Sequence, residues 1–519
     1  MTELPKGWAT AKFSDFGEWM GGGTPSKAVP SYWNGPIPWV SPKDMKTKVI
    51  RSAIDGITEA AVENSAAKRV PAGSVLIVAR SGILAHTLPI AVTAVETTLN
   101  QDMKALTLSG GISSDFIAWG LRAFEQAILN KCRKGGTTVH SIEMPSLVAF
   151  ELPIPPTNEQ RRIVEKIEAM IERIDKGVEN LRGAKATLAL YRQSLLKSAF
   201  EGKLTADWRA QNADKLETPK TLLARIQKER ETRYKSALDD WQTALAEWRA
   251  GGEVGRKPGK PGRSPEIIGE AVFPSGKVAQ VPTSWRWSPM SDVGRTSGGL
   301  TKNQKRESLA RKAKYLRVAN IYSNELRLDH ISEIGVTDEE FSKSRLEKGD
   351  LLFVEGNGSL DQIGRVAVWD GSIPDITHQN HLIRFSPDGL LDSQFAMLFM
   401  ISPVGRDLIK AQASSTSGLH TLSISKIANL PVPICSPAEQ AEITRILDTR
   451  LTAADRMEAE IDAALSRAGA LRQSILKRAF AGNLVHQDPT DEPAPTLLAR
   501  IKAERAKAGR AKPARKVSA

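Results

Sequence analysis

Residues 192–204 read RQSLLKSAFEGKL and residues 472–484 read RQSILKRAFAGNL; nine of the thirteen positions agree, 280 residues apart. No other feature restricts the fold as much, because a chain that writes one long phrase twice builds one unit twice. The duplication widens when read outward. LPIPPTNEQRRIVEKI (152–167) faces LPVPICSPAEQAEITRIL (430–447), and Glu159–Leu204 aligns with Glu439–Leu484 without a gap. Downstream, TLLARI at 221–226 recurs at 496–501.

The repeated module is helical by pattern. Ile163, Ile167, Met170, Ile174, Leu181, Leu188 and Leu195 fall on a seven-residue repeat, with Gly177, Ala184 and Tyr191 in the remaining seam places. Ile443, Leu447, Ala454, Met457, Ile461, Leu471 and Ile475 form the second seam. A sustained heptad argues for a coiled coil, and the economical partner for each copy is the other. The proline-rich lead-ins cannot be helical, so each helix starts after them, with Asn158 and Ser436 as expected caps. Roughly 42 residues at about 1.5 Å each predict a rod of about 60 Å.

Before each helix lies a segment of short β-type runs broken by turns, among them GSVLIVARSG and MKALTLSGG in the first and GDLLFVEGNG and HLIRFSPDG in the second. Each also holds one helical stretch, 115–131 and 393–412, which makes two α/β globules. They share anchors: Pro5-x-x-Trp8 with Pro282-x-x-Trp285, Asp15-x-Gly17 with Asp292-x-Gly294, Gln101 with Gln379 and His140 with His420. Elsewhere they diverge. The expected domains are 1–155, first globule; 156–204, first long helix; 205–280, helical insertion and flexible basic linker; 281–433, second globule; 434–485, second long helix; 486–519, short helix and basic tail. Within the insertion, Trp241 and Trp248 are expected to dock its helix on a neighbour. The glycines at 21–23 and 298–299 are expected to set turns.

Net charge is +13, and the last twenty residues carry eight Lys/Arg against one Glu. Such a surplus suits a polyanion. Two cysteines without metal-ligand spacing point to a reducing compartment, and neither a signal-peptide core nor an 18-residue apolar run occurs. The cytoplasm is the expected location.

The stretch LPKGWATAKFSDFGEWMGGGTPSKAVPSYWNGPIPWVSPKDMK (4–46) resembles the opening of the specificity subunit of type I restriction–modification systems. So does the order globule, proline lead-in ending in Glu-Gln, and long helix closing on RQSLLKSAFEGKL, written twice. The resemblance implies two target-recognition domains at opposite ends of an antiparallel coiled coil with pseudo-two-fold symmetry, reading an asymmetric bipartite site in double-stranded DNA. It also implies two copies of a modification (methyltransferase) subunit as partners, joined by ATP-dependent restriction subunits. S-adenosylmethionine, ATP and Mg are then expected on those partners, with no cofactor and no metal in this chain. The second globule departs from the pattern: SGGLTKNQKRESLARKAKYLRVAN (297–320) lacks the Pro-Ser and Tyr-Trp pairs of the first, so its contacts cannot be copied over.

The residues themselves argue against catalysis. There is no Gly-x-x-x-x-Gly-Lys-[Ser/Thr] phosphate loop and no Asn/Asp-Pro-Pro-aromatic stretch to grip a flipped adenine. The other class is a coiled-coil scaffold that does not read DNA; polar and basic density in the globule loops opposes it. Candidate DNA contacts in the first globule are Lys43, Arg80, Ser81, Lys131, Arg133, Lys134, Thr137, Thr138 and His140. In the second they are Lys302, Lys305, Arg306, Arg311, Lys312, Lys314, Asn357, Arg365, His378, Asn380 and His381. Arg and Lys grip phosphate or read guanine, and Asn pairs with adenine; the alternative for each is a solvated or structural role. Candidate partner-docking residues are Arg192, Gln193, Lys197, Phe200 and Leu204 with their copies Arg472, Gln473, Lys477, Phe480 and Leu484, unless their repetition records ancestry alone.

Overall fold

The computed structural model describes residues 4–135, 139–263, 266–267, 269–273, 280–416 and 418–510. In the first globule β1 (Ala9–Lys12) starts the fold, followed by β2 (Gly17–Gly21), β3 (Val75–Val78), β4 (Ile90–Thr93) and β5 (Met103–Leu108). Helix α1 (Ser114–Ala123) then leads to β6 (Glu151–Ile154), which pairs antiparallel with β1. The sheet order is β2-β5-β3-β4, closed by the two-residue strand Val49–Ile50. All four residues of β3 are fully buried. Their alternation explains why: Val75 and Ile77 enter the core under α1, while Leu76 and Val78 enter a second core with Val40, Val70 and Leu99.

After this globule comes α2 (Thr157–Phe200), then α3 (Pro219–Ala250) of the insertion. The second globule repeats the frame. Strand β7 (Arg286–Pro289) precedes a sheet of β8 (Gly294–Gly298), β9 (Leu351–Val354), β10 (Val366–Val368) and β11 (Leu382–Pro387), ordered β8-β11-β9-β10. Between β8 and β9 lies the short helix α4 (Asp338–Ser344). After the sheet come α5 (Ser393–Ile401) and β12 (Pro431–Ile434), which pairs with β7 as β6 pairs with β1. The second long helix, α6 (Pro437–Phe480), and then α7 (Ala494–Arg510) follow.

Two compact units result, Met1–Gly183 with Ile461–Ala519 and Ala184–Glu460, each holding one globule and part of both long helices. Within each unit the helices run antiparallel. In the second, Lys185 pairs with Glu458, Arg192 with Asp455 and, beyond the end of α2, Arg209 with Glu439. In the first, Asp175 pairs with Arg472, and Arg162 reaches Asp491 beyond the end of α6. Phe480 fits between Phe116 and Phe124, with ring centres 4.9 and 5.8 Å away, and its copy Phe200 fits between Phe395 and Phe399 at 5.3 Å each. The glycine closing the repeated phrase is required by its backbone: Gly202 (φ +71°) lies against Pro282 and Gly482 (φ +73°) against Pro5.

Three expectations are corrected. Tyr191, Met457 and Leu471 are 42–57% exposed, and the seam passes instead through their neighbours Arg192, Glu458 and Arg472. A straight helix at 3.6 residues per turn drifts off a strict heptad, so midway the chain exchanges apolar contacts for ion pairs. Asn158 does not cap α2, because the helix already begins at Thr157, and its amide donates instead to Asp491 at 3.0 Å; Ser436 does cap α6, accepting from the Glu439 amide at 3.2 Å. Gly22 and Gly299 have no positive φ; a Cβ there would collide with the carbonyls of Asn100 and His378, so close backbone approach requires them.

The described part of the linker lies against α3. The indoles of Trp248 and Trp241 donate to the carbonyls of Gly255 and Pro258, at 3.3 and 3.0 Å. The tryptophans therefore hold the returning chain. Helix α3 docks on its unit through Leu222, Leu223 and Ile226, and α7 docks on the other through Leu497 and Ile501, the same positions of the repeated TLLARI.

Candidate nucleic-acid interface and helix docking face

In the first globule a short antiparallel ribbon gathers candidates that are far apart in sequence. The strand Arg80–Ser81 pairs with His140–Ile142, which pairs with Arg133–Lys134; Ser81 faces His140, and Lys134 faces Ser141. Arg80, Arg133 and Lys134 are exposed. Arg133 is steadied by the carbonyls of Leu84 and Ala85, at 3.2 and 3.0 Å, and Ser81 accepts from the Ile83 amide. Nδ1 of His140 is buried without a hydrogen-bond partner. Thr137 and Thr138, between two of these strands, lie outside the described residues. Lys131 approaches the Phe150 ring at 5.8 Å, and Lys43 is exposed on a turn held by Asp44, which accepts from Ser41 and Ile54.

The second globule builds the same ribbon from different residues. Gly356–Asn357 pairs with Leu419–Thr421, which pairs with Ser414–Thr416, so that Asn357 and Ser415 both face His420. Asn357 accepts from the Ser359 amide at 2.9 Å. Where the first ribbon carries Arg80, Arg133 and Lys134, this one carries no Arg or Lys, although the strand pairing is shared.

Other candidates in this globule divide by burial. His378 is fully buried, and its Nδ1 donates to the Ser344 carbonyl at 3.1 Å. Burial, with the nearby Arg384 cation, lowers its pKa to about 4, so it is neutral at pH 7 and structural. Arg306 is 14% exposed; it forks onto Glu340 at 2.7 and 2.9 Å and donates to the Thr301 and Gly335 carbonyls, which ties down its loop. Asn380 is half-buried. Arg365 lies 4.8 Å from the Tyr322 ring, His381 bonds Glu355 at 2.9 Å, and Lys312 donates to the Glu307 carbonyl. Arg311 stacks 3.8 Å over Phe341 while pairing with Asp338. Lys302, Lys305 and Lys314 are exposed.

Most of the repeated docking set is used inside the fold. Phe200 and Phe480 are core, Leu204 and Leu484 pack beside them, and Arg192 and Arg472 hold the helices together. Gln193, Lys197, Gln473 and Lys477 remain exposed. Beside the second pair, Ile174, Val178, Leu181 and Leu471 line an apolar groove.

Two matched sets join parts that are repeated in the sequence but distant along it. Trp8 of Pro-x-x-Trp donates to Glu159 of Glu-Gln at 3.0 Å, and Trp285 to Glu439 at 2.8 Å. The TLLARI repeat extends to Arg230 and Arg505, which donate to the Ser291 and Ser14 carbonyls at equivalent places. Among the described residues no group of three or more His, Cys, Asp or Glu is placed to hold a metal, and no helix is long and apolar enough to cross a membrane.

A twice-written α/β globule, each joined to a long helix through a Trp–Glu bond and carrying its own ribbon of polar residues, defines a duplicated recognition protein. The chain belongs to the type I restriction modification DNA specificity domain family, whose model matches residues 5–181 and 282–467. It is 43% identical over 175 residues to the EcoR124I/EcoR124II type I restriction enzyme specificity subunit of Escherichia coli, covering 33% of this chain and 43% of that one. With the EcoKI specificity subunit of Escherichia coli strain K12 it shares 26% identity over 398 residues, 74% of this chain and 70% of the relative. In fold it resembles a chain solved in work on complex assembly and conformational transition of the type I R-M system, with a TM-score of 0.61, 15% identity and coverage of 93% and 100%. The HsdS subunit from Thermoanaerobacter tengcongensis gives 0.50 at 15% identity, with coverage of 93% and 98%.

Proposed function

We propose that this chain is the sequence-reading subunit of a type I restriction–modification complex. Each globule reads one part of an asymmetric bipartite site in double-stranded DNA, and the paired helices set the unread gap. The observation that carries this reading is the ribbon built twice on one frame with different faces: Arg80, Arg133, Lys134 and His140 in one, Asn357, Ser415 and His420 in the other. Cationic forks suit guanine and phosphate, whereas an amide suits adenine, so two such faces suit two different half-sites. A scaffold that only joins proteins leaves that divergence without a reason.

In this reading the chain performs no chemistry. Two copies of a modification subunit dock on the exposed faces at Gln193 with Lys197 and at Gln473 with Lys477, and methylate adenine using S-adenosylmethionine. Restriction subunits using ATP and Mg join that complex. The test is long-read methylation mapping of a host free of N6-methyladenine that expresses the modification subunit with or without this chain. A two-part asymmetric motif that appears only with the chain supports the reading; unchanged methylation with co-purifying proteins overturns it.

A further inference from the structure

The strand pair β8–β11 carries a face that its counterpart lacks. In the first globule the pairing Gly17↔Leu108 through Gly21↔Lys104 matches Gly294↔Pro387 through Gly298↔Ile383 in the second. By that register Arg295, Ser297 and Arg384 stand where the first globule has Glu18, Met20 and Ala105. An acidic and apolar face has become a cationic one.

Over it opens a cavity of about 790 Å³, lined by Arg295, Arg311, Lys343, Arg345 and Arg384 against only Asp338 and Glu347. Arg384 is its floor. This guanidinium is 17% exposed, and it donates to the Arg345 carbonyl at 2.6 Å, the Lys343 carbonyl at 3.1 Å and the Ser297 hydroxyl at 2.9 Å. All three acceptors are neutral, so the bonds fix its position without cancelling its charge. The nearest paired carboxylate, Asp350, is 3.9 Å away, and it also accepts from the Ser386 hydroxyl and the Glu347 amide. Two rim cations are loosely matched: Arg345 lies 3.4 Å from Asp375, and Arg295 lies 3.8 Å from Asp388, an acid already bonded to Arg230, whereas Lys343 pairs with Glu339 at 2.9 Å and Arg311 with Asp338. Cations gathered this closely repel one another unless an anion joins them, and arginine forks match phosphate oxygens in particular.

We propose that the cavity formed by Arg295, Lys343, Arg345 and Arg384 is a phosphate site, taking a backbone phosphate of the bound duplex on the second globule alone. This rests on the DNA-reading function proposed above. The contact holds the duplex against the second globule and carries no base information, so losing it weakens binding without changing the motif.

The test uses the full chain in complex with its modification subunit, binding target and unrelated duplexes across a series of salt concentrations. The variants are Arg345→Ala and the double variant R295A/R345A, which spare the structural Arg384. Losing one phosphate contact lowers the slope of log affinity against log salt by about 0.9, with target preference retained. If the variants keep the wild-type slope and affinity, the site is overturned. If inorganic phosphate binds the wild-type complex and not the variants while the duplex slope stays unchanged, the site takes a free anion and the backbone assignment falls. A wild-type complex that fails to separate target from unrelated duplex overturns the DNA-reading function itself, a result distinct from either.

Discussion

The Trp8 indole donates to Glu159 at 3.0 Å across 151 residues of sequence, and Trp285 repeats the bond to Glu439 at 2.8 Å. The bond clamps the first strand of each globule to the first turn of the helix that follows it. The copies differ in what else the carboxylate meets. Glu439 also accepts from Thr205 at 2.8 Å and pairs with Arg209 at 2.7 Å. Glu159 has one oxygen buried without a partner, and burial pushes its carboxyl up. Glu439→Gln therefore destabilises its unit by about 3–5 kcal/mol, as expected when one member of a buried pair is removed. Glu159→Gln stays within about 1 kcal/mol, because Gln keeps an acceptor for Trp8. Amide hydrogen exchange read separately in the two units checks the contrast.

The raised Glu159 pKa also sets the direction of its pH effect. The neutral acid is favoured in the fold, so the cost of the buried charge is absent below pH 4.5 and grows as pH rises through the folded value. The stability of Glu159→Gln relative to wild type accordingly improves as pH rises above 4.5.

His378 behaves in the opposite sense. Its pKa falls from 6.5 to about 4 in the fold, so its contribution is fully present above pH 6.5 and is lost as pH falls toward 4. The loss is about 3 kcal/mol. His378→Gln should flatten the acid limb of the second unit's stability in that window, measured by denaturation at stepped pH; an unchanged limb counts against it.

Arg230 and Arg505 occupy the same place in the repeat with unequal partners. Arg230 is buried against Asp388 at 3.1 Å, whereas Arg505 lies 3.8 Å from the exposed Glu18. Arg230→Ala removes the buried partner of Asp388, leaving it Arg233 at 3.3 Å and Arg295 at 3.8 Å, both from exposed side chains, and costs about 3 kcal/mol, while Arg505→Ala costs about 1 kcal/mol or less. Local hydrogen exchange in α3 and α7 distinguishes them.

The inter-helix pair Arg192–Asp455 has its copy in Arg472–Asp175. Both are partly exposed, so a double-mutant cycle on Arg192 and Asp455 should give a coupling of about 0.2–1 kcal/mol that shrinks with salt. By contrast, Phe480→Ala removes a ring from between Phe116 and Phe124 and costs about 3–5 kcal/mol, read by thermal unfolding.

The duplication, the two long helices, the alternating strands and the family were legible because each is local: a period, a cap or a phrase carried along the chain. Even there, a strict heptad misplaced Tyr191, Met457 and Leu471 by one residue, since a helix's true pitch shows only against its partner. The site was legible as residue types but not as a place. That Arg80 joins Arg133 and His140 in one ribbon depends on a strand pairing between segments more than 50 residues apart.

The sequence by itself thus determined that one frame is built twice, because repeated patterning selects repeated local structure. Only the tertiary structure decided which repeated polar residues remain available. Burial turned His378 and Arg306 into internal struts, the pairing of the helices consumed Arg192 and Arg472, and the strand register brought Arg295 and Arg384 onto one face. Solvation, charge pairing and exposure are set by neighbours distant along the chain, and residue type alone does not carry them.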